Sequence, residues 1–356
     1  LPILVAHDAE KQLRLRTRGD VDMPDFVPGL ELAGLYYREA VRPILQTHYP
    51  DLVHSAGLIG TGSEVLGFDD EMSTDHSWGP RAILFLSAQE HARVADKLRL
   101  TLGQELPFSF HGYSTHFEAV PGEPKAVVPA ETDNRPINHT VRITVLSEYL
   151  QHYVGTLLEE ELTVLDWLTI PGQRLRSLVA GAVFHDGLGV LGPMQRKLAY
   201  YPHDVWLYLL SAQWRRIWQE EPFVGRAGWV GDEAGSAIIA ARLVRDLIHL
   251  CMLMEKQYVP YSKWFGSAFA LLECADQLSP VLEAVLASTG WQERERHLCA
   301  AYEVVAAMHN DLGVTEPVPT EVRQFHDRPF RVIEGEEIAK ALWDAIQDPE
   351  VRALPY

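Results

Sequence analysis

Apolar residues in the first part of the chain fall into short runs separated by turn residues. Leu30, Leu32, Ala33, Leu35, Tyr36, Ala40, Val41, Ile44 and Leu45 recur at helical spacing, which predicts an amphipathic helix from Phe26 to Tyr49, kinked at Pro43. Val53–Ile59 and Ala82–Leu86 are apolar runs of strand length, and Phe108–Ala119 and Thr140–Val145 read as further strands. Gln89–Gly103 carries Val94, Leu98 and Leu102 on one face and reads as a helix. Val120–His139 is rich in Pro, Glu and Asp and reads as a loop or hairpin excursion, and residues 1–25 show no regular pattern.

From about Ser147 the period becomes helical almost throughout. Helices are expected over 146–168, 171–184, 192–200, 204–220, 228–257, 262–288 and 291–312, then a Pro-containing connector over 314–334 and a last surface helix at Glu336–Ile346. The change of pattern predicts an α+β fold: a small α/β domain over 1–155 and an all-α helical-bundle domain over 156–356. A length of 356 residues suits two domains, and 47% hydrophobic with 22% charged residues is ordinary globular composition.

Charge narrows the possible partners. A net charge of −18 argues against a long nucleic acid, whose binding needs many Lys/Arg–phosphate contacts, and leaves room for a small nucleotide held by a local cation. No run of 18 apolar residues predicts a membrane helix, and the N-terminal apolar run is too short for a signal peptide. Cys251, Cys274 and Cys299 are an odd set without a C-x-x-C spacing, which speaks against a zinc finger and for a reducing, cytoplasmic setting.

The stretch from Leu58 to Leu86 carries the most specific chemistry. Gly60, Gly62 and Ser63 follow an apolar strand; glycine permits close backbone approach, and a hydroxyl with the N–H groups of a helix start suits a phosphate. A plain glycine turn is the alternative. Asp75 is expected at the start of the next strand, where residues two apart share a face, so a carboxylate at position 77 would complete a Mg²⁺ clamp. Ser77 stands there and is a poor substitute. Asp75 alone also suits a turn or cap, while His76 is a candidate acid or base.

The run GTGSEVLGFDDEMSTDHSWGPR (60–81), with AQWRRIWQEEPFVGR (212–226), ARLVRDLIHLCMLMEKQYVPYSKW (241–264) and PYSKWFGSAF (260–269), resembles a family of uncharacterised bacterial proteins in the polymerase-β-like nucleotidyltransferase superfamily. The resemblance covers about residues 26–290, and its members usually carry Asp where Ser77 stands. It implies that Gly62 and Ser63 contact a nucleoside triphosphate, that Asp75 is the metal carboxylate for Mg²⁺, and that Ser77 occupies a second carboxylate position it cannot fill. The third carboxylate is expected on Thr140–Val145, which offers Arg142 and Thr144 instead; Asp69, Asp70 and Glu118 are the acids that could compensate. Lys263, with Tyr261 and Ser262, is the expected phosphate-binding group of the second domain, against the plain reading of a helix start with a surface Lys. Glu233 is the candidate general base from that domain, against a role at the dipole of its helix. The site is expected in the cleft between the domains.

Further groupings stay open. Trp206, Tyr208, Trp214 and Trp218 lie in one expected helix and could line a pocket for a ring-bearing substrate or pack the core; Arg215 could take a phosphate or pair with Glu220 or Glu221. His76, His111, His116 and His139 could converge on a transition metal. Asp186 reads as a helix C-terminal turn. The function expected is transfer of a nucleotidyl group from a nucleoside triphosphate to a small-molecule acceptor through a degenerate metal site. The alternatives are a repurposed enzyme performing metal-free acid/base chemistry on a ring-bearing or apolar metabolite, and a non-catalytic nucleotide-binding protein.

Overall fold

The computed structural model describes residues 25–155 and 161–356. The expected irregular segment before residue 25, and the middle of the helix expected over 146–168, lie outside the described residues. The fold is mixed α+β, and its contacts divide the chain into one unit running to Leu58 and over Gly62–Thr144, and a second comprising Ile59–Thr61 and Val145–Tyr356.

In the first unit, Ser55–Leu58 pairs antiparallel with Arg81–Leu86, Ala56 opposite Leu84, and Thr140–Val145 lies on the other side of Arg81–Leu86. All four residues of the first strand are buried, as are the last five of the second. Gly29–Tyr36 packs on both strands and Ala88–Glu105 on the second, closing a core around Leu32, Tyr36, Phe85, Leu98 and Leu102. Ser87 caps the latter helix by accepting from the Glu90 N–H. The expected kink at Pro43 takes the form of a π turn over Tyr37–Val41, after which Arg42–His48 continues with Pro43 in its first turn, where its missing N–H costs nothing.

Two expectations are corrected here. Asp75, His76 and Ser77 do not open the second strand, which begins at Arg81. Asp70 caps a 3-10 turn over Glu71–Asp75 by accepting from the Ser73 N–H at 3.1 Å, and Ser77 and Gly79 then take positive φ (52° and 133°), so the segment cannot lie in a ladder. Phe108–Ala119 is not one strand: His111 and Gly112 also have positive φ, which folds Ser109–Phe110 back on Tyr113–Ser114. The end of that segment, Phe117–Val120, pairs with Glu123–Pro129 in a hairpin turned at Gly122, which is one of the two forms expected for the excursion after it.

The second unit is built around Glu233–Met254, which packs against His203–Glu220, Phe223–Trp229, Ala275–Ala287 and Trp291–Asp311. Leu243, Leu247, Leu250, Trp214 and Tyr302 are buried between them. The helix expected over 228–257 is two helices, because Gly231 turns at φ 86° and Asp232 caps the second by accepting from the Gly235 N–H. The helix expected over 171–184 stops at Val179, and Ala182–Asp186 is a strand. Gln195 donates to the carbonyls of Leu178, Val179 and Gly181 and so terminates the helix. Asp186 accordingly begins the next helix rather than ending the last: it accepts from the N–H groups of Val190, Leu191 and Gly192. The expected 262–288 helix breaks into Ser262–Trp264, Phe265–Phe269 and Ala275–Ala287, and the Glu255 carboxylate takes the N–H groups of Glu273 and Cys274 in the gap.

Candidate functional site

Gly60 and Gly62 adopt φ of 90° and 148°, so the chain leaves the first strand through a turn that L side chains rarely follow. Ser63 precedes the single 3-10 turn Glu64–Leu66, which ends at a left-handed Gly67. Behind the turn lies Glu64, 2% exposed, paired with Arg81 at 2.8 Å. Burial pushes the Glu64 carboxyl up from its ordinary range, and the Arg81 guanidinium opposes that rise. A Cβ on Gly62 would fall 2.5 Å from Glu64 Oε2 and 2.8 Å from Arg81 Nη2, so only glycine lets the turn close over this pair.

Arg81 also reaches the acidic segment. Its Nη1 donates to the Ser77 carbonyl at 2.7 Å. Ser77 is held as well by its N–H, which donates to the Val127 carbonyl at 2.7 Å. The Gly62–Ser63 turn and the Asp75–Ser77 segment therefore meet at one guanidinium, which the sequence reading passed over. The signal was available: an Arg after Gly-Pro at the start of the strand that pairs with the one entering the turn.

The carboxylates do not form a clamp. The Asp75 carboxylate accepts from His76 Nδ1 at 2.6 Å, with both side chains more than half exposed. Asp69 accepts from the Gly29 N–H at 2.7 Å and from the Trp78 indole at 2.9 Å, which fixes the buried Trp78 against Phe26 and Tyr113. Asp70 is occupied as the cap, and the exposed Glu118 lies 3.9 Å from His116. Ser77, with positive φ, does not share a strand face with Asp75. The histidines are also dispersed: His111 faces Glu39, His116 accepts from the Asn138 N–H, and His139 contacts the Arg99 carbonyl. Among the described residues no three His, Cys, Asp or Glu side chains gather closely enough to hold a metal ion.

The candidates of the second unit lie apart from one another. Tyr261 precedes the turn Ser262–Trp264, and all of Tyr261, Ser262 and Lys263 are exposed, with Lys263 Nζ 4.4 Å from the centre of the Trp264 ring. The adjoining Phe265 ring lies 5.9 Å from Arg245. Arg245 is twelve residues beyond Glu233 on one helix, which places it about 18 Å along the axis. Glu233 is turned instead to Arg294 at 3.2 Å, a guanidinium 3% exposed that also donates to Ser236. Trp206 and Trp214 are buried in the helical core. Arg215 stacks on Tyr356 at 4.3 Å; Glu220 pairs with Arg242, and Glu221 accepts from the N–H groups of Ile333 and Gly335.

Residues 167–265 match a family described as a domain of unknown function, DUF4037. That match includes Glu233 and Tyr261–Lys263 and excludes the Gly-Ser turn. A crystal structure of a nucleotidyltransferase-like protein from Exiguobacterium sibiricum is similar over 86% of this chain and 88% of that chain, at 11% identity and a TM-score of 0.34. No curated protein matches the chain. Among the described residues no helix is long and apolar enough to cross a membrane.

Proposed function

We propose that the protein binds a nucleoside triphosphate at the Gly62–Ser63 turn and transfers its nucleotidyl group to the hydroxyl of a small-molecule acceptor, the new bond at the α-phosphorus replacing the α–β phosphoanhydride and pyrophosphate leaving. The observation that carries this reading is the Arg81 guanidinium lying against Gly62 and bonded to Ser77. Planar guanidinium groups recognise phosphate oxygens in bidentate fashion. An arriving phosphate would compete with Glu64 for Arg81, and Glu64, whose carboxyl is pushed up by burial, can then take a proton rather than remain as a buried bare charge. The acidic overall charge supports a small acceptor over a polynucleotide.

The residues present do not fit a Mg²⁺ clamp. One carboxylate, Asp75, is bonded to His76, and the neighbouring acids are engaged in caps and indole contacts, so no step is assigned to magnesium. The proton chemistry falls instead to His76. Asp75 accepts from its Nδ1, which orients the ring and leaves Nε2 to take a proton from the acceptor hydroxyl. Glu233 is not assigned the base role, because Arg294 holds it as an ion-pair partner. Lys263 stays a candidate phosphate ligand of the second unit.

The same Asp75–His76 pair favours a second reading: metal-free acid/base chemistry on a ring-bearing metabolite. A thermal-shift titration with the four nucleoside triphosphates, with and without Mg²⁺, separates the two, since a ligand of the folded state raises the melting temperature. A shift that Arg81→Met abolishes, with nucleotide turnover that His76→Gln abolishes, supports transfer. A shift without turnover reduces the role to nucleotide binding. No shift at saturating nucleotide removes the nucleotide reading and leaves the second.

A further inference from the structure

The helical unit carries a pocket open to solvent, of about 660 Å³, within the usual range for a small-molecule site. Its position follows from two helix ends. Glu233–Met254 and Trp291–Asp311 both terminate there, with Met254 and Asp311 in the lining. The C-terminal end of a long helix carries partial negative charge. Two such ends therefore bias the same space toward a cation.

Side chains add to that bias. Glu255, Glu273 and Asp311 line the cavity against one guanidinium, Arg176, whose Nη1 donates to the Tyr258 carbonyl at 2.7 Å. Glu255 is fixed in place by the N–H groups of Glu273 and Cys274, so its charge is positioned before anything binds. Met254, Leu272 and Met308 supply an apolar wall, and thioether side chains adapt readily to a ligand's shape. Among the described residues no three metal-ligating groups come together, which separates this site from a metal centre.

We infer that this pocket binds a small organic cation, its ammonium group on the acidic side that Glu255, Glu273 and Asp311 line and its apolar body against Met254, Leu272 and Met308. The inference does not depend on the nucleotide reading, since no residue of the Gly-Ser turn lines the cavity. The net negative field excludes the triphosphate itself from this space. Cys274, half-buried, lines the cavity, whereas Cys251 and Cys299 are buried, so Cys274 serves as a local reporter.

The test is calorimetric titration of the whole chain with n-hexylammonium and with hexanoate, matched in length and opposite in charge. Hexylammonium should bind, hexanoate should bind at least about tenfold more weakly, and the ammonium affinity should fall with added salt. Glu273→Gln combined with Asp311→Asn, both at exposed positions, should weaken hexylammonium about tenfold while leaving hexanol binding unchanged. Hexylammonium should also slow N-ethylmaleimide labelling of Cys274. Equal or tighter binding of hexanoate, no detectable ammonium binding at millimolar concentration, or labelling unaffected by saturating hexylammonium would each overturn the inference.

Discussion

Replacing Glu221 by Gln should remove most of a pH dependence built into the helical unit. Glu221 follows the helix His203–Glu220, is 2% exposed, and accepts from the Ile333 N–H at 2.6 Å and the Gly335 N–H at 3.3 Å. Burial raises its carboxyl from 4.5 to about 8; the backbone N–H groups oppose the rise and Glu334 adds to it. The sign follows from proton binding. Between 4.5 and 8 the folded protein keeps a proton that the unfolded chain has released, so stability falls as pH rises through that window and levels off above it. From pH 5 to 8 the loss amounts to about 3 kcal/mol, at 1.36 kcal/mol per pH unit. Gln cannot ionise and retains an acceptor oxygen. Urea unfolding of both proteins at pH 5, 6, 7 and 8, followed by tryptophan fluorescence, reads this directly. Eight of the nine tryptophans belong to the second unit, Trp78 being the exception, so the signal reports the unit that holds Glu221. The variant should gain about 3 kcal/mol relative to the parent between pH 5 and pH 8. Parallel stability profiles for the two proteins would refute the reasoning.

Three other outcomes are expected. Asp69→Ala strands the Gly29 N–H and the buried Trp78 indole and should destabilise the first unit by about 2–3 kcal/mol, seen as faster hydrogen exchange over residues 26–36. His249 and His309 are held neutral in the fold, chiefly by burial, each with its pKa lowered to about 4; as pH falls below 6.5 the unfolded chain binds protons the folded one refuses, so stability should drop between pH 6.5 and 4, with neither imidazole titrating by NMR above pH 5. Ser77→Asp should give no Mg²⁺-dependent gain in nucleotide affinity, because the left-handed backbone at position 77 does not bring its side chain beside Asp75; a Mg²⁺-dependent thermal shift in that variant alone would contradict this.

Hydrophobic period made most of the architecture legible. The strands at 55–58, 81–86 and 140–145 and the helices at 203–220, 291–311 and 335–345 fall where apolar runs and 3.6-residue spacing place them, because these elements bury their apolar residues. Two of the misplaced helix ends share a cause that period does not register. Val179 ends its helix because Gln195, sixteen residues later, satisfies the terminal carbonyl, and the break before Ala275 is held by Glu255 from an earlier helix. Such stops depend on partners distant in sequence, and the apolar pattern runs through them unchanged.

The candidate site divides along the same line. The glycine requirement at positions 60 and 62 was legible, since a Gly-x-Gly after an apolar strand signals positive φ, which both residues adopt. The acidic segment was not, because its reading assumed extended backbone through Asp75–Ser77. Asp70 supplies a cap four residues after Leu66, and once that turn forms, Ser77 must reverse the chain to bring Trp78 onto Asp69. The geometry that removes Ser77 from the face of Asp75 is the same geometry that delivers its carbonyl to Arg81. The separation of Ser77 from Asp75 and the contact of its carbonyl with Arg81 are therefore one feature of the backbone, which period and spacing do not register.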